Sequence, residues 1–515
     1  MLKSNKNHLF FLGLLILVIL VRLPTLFLPI DNDTGATAYH ARLILSGEPL
    51  YGTHHPAHHL PGIFYTYAAI FALLGDRPSS LQLVLMVWIW INAIYIYKIG
   101  IKVSSPFGGI LSAIFFVIIT SMTNIMGDTA EIELFANLPL TMIIWFGFKI
   151  IEQKRDIRSE FLIGILSAVS FLYKPVYFAS LLAVILVMLF AKLKLPASYK
   201  WSTLAGQYAV IFLGFTATIG LVTGYFAAIG LFNRFLLVFQ LGTGYVAFNE
   251  TPWYYSLLIP LIMILQINIA FVIIGFSSVM RRLIYLPKHK DSLLSTSVIH
   301  ILLILWLIFS FVSAGFSKFG FFHYVILLIP PFGIIAGTEI SDFRDRTKRD
   351  SKTNNVCIHK IIAGTFVLLI IGNTLINSWD YFAGFSKFLS NEKTLEEFAI
   401  EDTRLGFQNI QAHKIAKYIK ENSNSTEIIL NWSDQAQVYY LAERVASVDV
   451  IWPIYISLLG HPERAIDSQP AFIITGPVLM LDDNAPKWLT TALTKSYHYD
   501  ISFGEYKIYK RNYLR

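Results

Sequence analysis

The sequence predicts a polytopic α-helical membrane protein, with about eleven transmembrane helices and a small extracytoplasmic α/β domain at its C-terminal end. Three observations carry that expectation. Of the 515 residues, 55% are hydrophobic and 14% are charged, whereas a soluble chain carries about 25% charged residues. Apolar runs of the roughly 17 to 25 residues that cross a bilayer as helix recur through the first three quarters of the chain. Lysines and arginines collect in alternate short loops between those runs, the pattern of a positive inner side.

Taken in order, spans are predicted near 9–28, 81–101, 107–126, 135–152, 160–173, 176–193, 206–229, 255–279, 297–315, 323–340 and 359–378. The first is read as a retained anchor. Lys3 and Lys6 precede its apolar run as in a signal peptide, but no small-residue cleavage site follows, and Arg22-Leu-Pro interrupts its far end. With a cytoplasmic N-terminus, the inner loops carry Lys98 and Lys102, then Lys154, Arg155 and Arg158, then Lys192, Lys194 and Lys200, then Arg281, Arg282, Lys288 and Lys290. The loop 341–353 adds Arg344, Arg346, Lys348, Arg349 and Lys352, while the opposite loops hold only scattered cations such as Arg42, Arg77, Lys174, Arg234 and Lys318. Leu60–Gly75 is apolar but too short for a comfortable span, and counting it would place basic loops on both sides. An interfacial or re-entrant helix on the outer side is expected there.

An odd number of spans leaves the tail outside. The expected organisation is a membrane domain over 1–380, with outer loops 29–80 and 127–134, and an extracytoplasmic domain over 381–515, in a multi-pass protein of the plasma or inner membrane. The tail reads as helix at Asn409–Asn422, strand at Glu427–Asn431, helix at Gln435–Glu443, and strands at Ala471–Thr475 and Tyr506–Tyr509. It carries no catalytic motif, and the chain shows no internal repeat. The net charge of +8 does not indicate nucleic acid, because the basic residues lie in short loops and not on one polar face. A single cysteine, Cys357, rules out an intramolecular disulfide.

The acids sit in two outer loops. Asp31 and Asp33 follow the first span, where restricted water can tune a base. Asp33 also reads as N-cap of a helix from about Thr34 to Ser46, and both roles can coexist, since a helix N-terminus holds a carboxylate ionised. Asp128, Glu131 and Glu133 open the fourth span. Glu131 and Glu133 are two residues apart, so a helix would turn only one of them into a cavity. His54, His55, His58 and His59 offer imidazoles to a metal or to a phosphate, although Pro56 and Pro61 oppose a regular helix there. Lys174-Pro175, Arg234, Lys318 and His323-Tyr324 place cations beside aromatics on the same side. Each alone reads as a snorkelling side chain. Together with the acids they match what a lipid-phosphate substrate requires: a base for the acceptor and positive charge for the leaving phosphate.

Several stretches resemble the membrane glycosyltransferases of the dolichyl-phosphate-mannose protein mannosyltransferase and aminoarabinose transferase superfamily, the GT-C fold, of the bacterial glycosyltransferase family 39 type. Asp33-Thr-Gly-Ala-Thr-Ala-Tyr39 through Gly47 resembles the acidic-Gly-Tyr first-loop motif, and His58-His59-Leu60-Pro61-Gly62-Ile-Phe-Tyr65 resembles the His-Lys-Pro-Pro-Gly-Ile-Tyr-Tyr segment. Glu133 through Pro139 is similar to the second-loop acid, Tyr173-Lys174-Pro175 to a Lys-Pro segment, and His323-Tyr324 through Pro330-Pro331 to a His-Tyr followed by a Leu-Pro-Pro helix. His59 stands where the family has Lys, Leu60 replaces the first proline, and Thr34 stands where an acid is common.

The resemblance implies inverting transfer of a sugar from a polyprenyl-phosphate donor to a lipid, glycan or protein acceptor on the outer face, among membrane lipid. Asp33 would be the base, with Asp31 its substitute, and Glu133 would orient acceptor or sugar. His58, His59, Lys174, Lys318, His323 and Tyr324 would serve the donor phosphate; Glu131, Tyr39 and Arg234 would serve acceptor or sugar. No cofactor is required and a divalent metal is optional, because a phosphate leaving group needs charge stabilisation but no acid. The rivals are an oligosaccharyl transferase or glycan ligase of related architecture, and a flippase of lipid-linked sugar. A flippase calls for paired ionisable groups at mid-membrane, which the spans scarcely offer.

Overall fold

The computed structural model describes residues 2–52, 58–153, 155–194, 200–285, 294–346, 356–448, 450–458, 461–478 and 485–512. Among these, eight helices are long and apolar enough to cross a membrane: His8–Leu26, Pro78–Val103, Ile132–Glu152, Pro175–Lys194, Trp201–Ala228, Ser297–Gly315, Phe322–Asp345 and His359–Asn377. Gly62–Leu74, Pro106–Ile119 and Tyr255–Ile267 are apolar but shorter. The protein is a multi-pass membrane protein.

Three expected spans take other forms. The run 255–279 is broken into Tyr255–Ile267 and Ile269–Tyr285 by Asn268, whose backbone is extended at φ −161° and ψ 96°. The buried Asn268 side chain makes the break stable: Oδ1 accepts from the Phe271 N–H, and Nδ2 donates to the Ile370 carbonyl at 2.9 Å. The run 107–126 ends as α-helix at Ile119, and its remainder forms a 3-10 turn, Thr123–Ile125, closed by left-handed Met126. The run 323–340 starts as 3-10 helix over Phe322–Leu328 and becomes α-helix only from Ile329, where Pro330 and Pro331 can occupy the first turn without needing N–H partners.

Contacts divide the chain into two units. The first comprises Met1–Pro24, Leu83–Thr223 and Thr251–Asp380. Its most extensive helix pair is Pro106–Ile119 against Ile329–Arg346, and small residues allow the approach. A Cβ on Gly337 would lie 2.6 Å from the Ser112 nitrogen, so the backbones touch where any larger residue would part them.

The second unit comprises Thr25–Gln82, Gly224–Glu250 and Tyr381–Arg515. This grouping differs from the division at residue 380 read from the sequence, because long-range pairs tie the first loop to the tail. Helix Asn32–Leu45 rests on helix Gln437–Ala442, with Gly35 so close that an added Cβ would meet Gln437 Cβ at 2.1 Å. Arg42 bonds Asp76 at 2.5 Å and the Tyr440 carbonyl at 2.6 Å, and the Tyr440 hydroxyl donates to Asp76 at 2.8 Å. The tail is built on a four-stranded sheet of order β1-β2-β4-β3, with β1 Ile429–Trp432, β2 Phe472–Thr475, β3 Tyr497–Phe503 and β4 Tyr506–Arg511. β1 and β2 are parallel; β4 runs antiparallel to both of its neighbours. Helix Gly406–Asn422 buries Ile415 and Ile419, and the strands bury Leu430, Ile473 and Ile508. The helix expected over Leu60–Gly75 is present as Gly62–Leu74. Helix Phe232–Phe248 was not anticipated; it packs Leu241 against Val450, Ile454 and Tyr455.

Candidate active site

In the first unit, Glu133 lies in the first turn of Ile132–Gln153 and is fully buried. An isolated carboxylate there would be costly. Lys174 and Tyr177 meet it through one oxygen, Oε1, at 2.5 and 2.8 Å, delivered by the Lys-Pro break between Ile157–Tyr173 and the following 3-10 turn. Oε2 is buried with no hydrogen-bond partner among the described residues. The Lys174 ammonium also lies 4.7 Å above the Tyr324 ring. His323, 6% exposed, is stacked on Phe321, edge-on to Tyr324, and has Nδ1 at 3.4 Å from Met126 sulfur. Lys174, assigned to donor phosphate, and Glu133, assigned to orienting substrate, are therefore an ion pair.

Lys318 takes a left-handed conformation, φ 61°, and donates to the Thr251 carbonyl at 3.0 Å from an exposed turn. Glu131 is buried immediately before its helix, so both second-loop acids avoid water, contrary to the expectation of one. The reason is that Glu131 precedes the helix and escapes its 100° step.

In the second unit, the N-cap of Asn32–Leu45 is Asp31 and not Asp33: Asp31 Oδ1 accepts from the Thr34 N–H at 3.0 Å. The helix starts two residues earlier than expected because Asp31 is extended and its carboxylate reaches the third helical N–H. Burial, the largest influence, raises the Asp31 pKa against the lowering by its hydrogen bonds. Asp33, half-buried, stands in the first turn, where the helix dipole favours its charge. Tyr39, assigned to substrate, is buried, and its hydroxyl accepts from the Ala446 N–H at 3.0 Å. Burial pushes its phenol pKa up; it holds the tail. Arg234 donates to the Tyr51 carbonyl at 3.3 Å, bracing a left-handed residue at φ 66°. His58 is buried and lies 4.5 Å from the Tyr455 ring and 4.1 Å from the half-buried His59. His54 and His55 lie outside the described residues.

Residues 54–216 match the model of the dolichyl-phosphate-mannose-protein mannosyltransferase family. The fold matches ArnT from Cupriavidus metallidurans bound to undecaprenyl phosphate, with TM-score 0.61 at 13% identity over 98% of each chain. The apo form of that protein gives 0.61 at 12% identity over 99% of this chain and 98% of that one. The archaeal oligosaccharyltransferase AglB from Archaeoglobus fulgidus, in complex with an inhibitory peptide and a dolichol-phosphate, gives 0.54 at 11% over 92% of this chain and 70% of that one. This chain has the fold of these membrane transferases, the GT-C fold. No curated protein matches it in sequence.

Within this fold, three structural partners were not read from the sequence. Tyr177 shares Glu133 with Lys174. Arg22, fully buried, donates to the carbonyls of Gly127 at 2.5 Å and Thr129 at 3.3 Å, shaping the second loop. A signal existed for Arg22: an arginine inside the end of an apolar run must find acceptors or leave the membrane. Tyr455 lies in the field of Asp33 although more than four hundred residues separate them in sequence, which no local pattern reveals.

Proposed function

We propose that this GT-C protein transfers a sugar from a polyprenyl-phosphate donor to a lipid, glycan or protein acceptor at the outer face of the cell membrane. The observation that carries the reading is the agreement in fold, over nearly the whole of both chains, with ArnT bound to undecaprenyl phosphate. The Asp33 carboxylate takes the proton of the acceptor hydroxyl. The acceptor oxygen forms a bond to the anomeric carbon from the face opposite the phosphate, the anomeric C–O bond to phosphate breaks with its electron pair, and the configuration inverts. Polyprenyl phosphate leaves as an anion, and His58 and His59, in the same unit as Asp33, offer it imidazoles. Lys174 contributes less, because Glu133 already balances it. The reaction calls for no cofactor and leaves a divalent metal optional, so chelation is expected to leave turnover unchanged.

The test is transfer by the purified chain from a panel of polyprenyl-phosphate hexoses and pentoses, beside mass spectrometry of envelope glycolipids and glycoproteins from cells with and without the protein. Loss of no glycan in cells, with no transfer from any donor, overturns the reading. The fold match to AglB favours a second reading, transfer of a preassembled oligosaccharide. Activity with lipid-linked oligosaccharide but not with a lipid-linked monosaccharide decides for it.

A further inference from the structure

Within the second unit, three rings stack beside the first-loop acid. The Tyr455 ring contacts His58, 4.5 Å away at 32°, and Tyr245, 5.5 Å away at 24°. Leu241, Val450 and Ile454 support it from behind, and it is 7% exposed. These contacts hold the phenol ring in place. Its hydroxyl makes no hydrogen bond to a described residue; Tyr245 and Asp33 act on it only through space. Burial first, then the fields of these two, raise its pKa and keep it a donor. Trp452 stands at the margin of the stack, edge-on to His58 at 6.3 Å. Its ring is half-buried, while its Nε1 is buried with no acceptor among the described residues.

Apolar packing explains the rings but not the two donors. At Trp452 a phenylalanine would bury no N–H that lacks an acceptor among the described residues, and at Tyr455 it would present no hydroxyl left without a hydrogen bond to any of them. A sugar supplies what is missing: hydroxyl oxygens that accept, and a C–H face that lies on an aromatic ring. We propose that Trp452 and Tyr455 read the sugar of the donor as it is presented to Asp33, the indole N–H and the phenol donating to sugar hydroxyls and the half-exposed indole carrying the ring. The inference rests on the transferase reading and adds to it a site of sugar specificity in the tail.

The experiment compares two probes on the full chain in nanodiscs, without acceptor: polyprenyl phosphate bearing a hexose or pentose, and the same lipid without sugar. Trp452→Phe and Tyr455→Phe remove one donor each and keep an aromatic ring at each place. Each is expected to weaken the sugar-bearing lipid about tenfold, the cost of one neutral hydrogen bond, while the sugar-free lipid binds within twofold of wild type and the melting temperature holds. Equal affinity of the variants for the sugar-bearing lipid overturns the inference, as does parallel loss of both lipids with a lowered melting temperature. If the wild-type chain binds neither probe better than an ordinary phospholipid, the transferase reading itself falls.

Discussion

At the scale of single residues, Asp31 and Asp33 separate into two jobs. Asp31 spends its oxygen on the Thr34 N–H and is buried, whereas Asp33 is half-buried and not needed as a cap. Asp33→Asn is therefore expected to leave the thermal melt unchanged and to lower turnover by about a hundredfold or more, measured with purified protein and a polyprenyl-phosphate sugar. Near-normal transfer by that variant assigns the base elsewhere. Asp31→Asn keeps a capping oxygen and is expected to retain most activity. Its signature is in stability. The folded Asp31 pKa lies above the ordinary carboxylate value because of burial, so its contribution is full below the unfolded pKa and is lost as pH rises through the folded one. The Asn variant escapes that loss: its melting temperature should exceed wild type at pH 7 and match it near pH 4. A gain that grows toward acid contradicts this.

At the scale of elements, what could be read from the sequence was periodic or local. Apolar runs and basic loops marked most membrane helices, and alternation marked β1, β2 and β4 of the tail. Strand β3 was missed because Tyr497–Phe503 leaves most of its side chains exposed or half-exposed, so no apolar alternation announces it. Helix Phe232–Phe248 was missed because it fills the stretch between two predicted spans with an apolar run too short to cross the membrane. The Asn268 break had a visible signal, one amide in an apolar run, but its acceptors at Ile370 and Thr374 lie about a hundred residues away. The same holds for Glu133 and Lys174: each was singled out, yet their pairing is a long-range fact. It changes what a mutation reports. Lys174→Ala strands a buried carboxylate and is expected to cost about 3–5 kcal/mol of stability, whereas Lys174→Met with Glu133→Gln should recover most of the melting temperature. If Lys174→Ala melts like wild type, the pair is not buried as described.

At the scale of the whole molecule, loop charge and helix order together demand a particular count. With the N-terminus inside, His8–Leu26 leads out, and Pro78–Val103 returns to Lys98 and Lys102. Pro106–Ile119, a short helix with its 3-10 extension, must then lead out, and Ile132–Glu152 must return to Arg155 and Arg158. Ile157–Tyr173 and Pro175–Lys194 bring the chain back at Lys192 and Lys194. After Trp201–Ala228 leads out, Arg281 and Arg282 return to the basic side only if Tyr255–Ile267 and Ile269–Tyr285, broken at Asn268, make one crossing between them. Counting them as two would place Arg344 outside and the tail inside, against the positive-inside rule. The prediction is checked in a Cys357→Ser background with one cysteine introduced at Arg344 or at Lys487 and an impermeant maleimide added to intact cells. Label at 487 alone is expected. Label at 344 alone means that the broken pair crosses twice, and label at both sinks the single crossing by His359–Asn377 that separates the last basic loop from the tail.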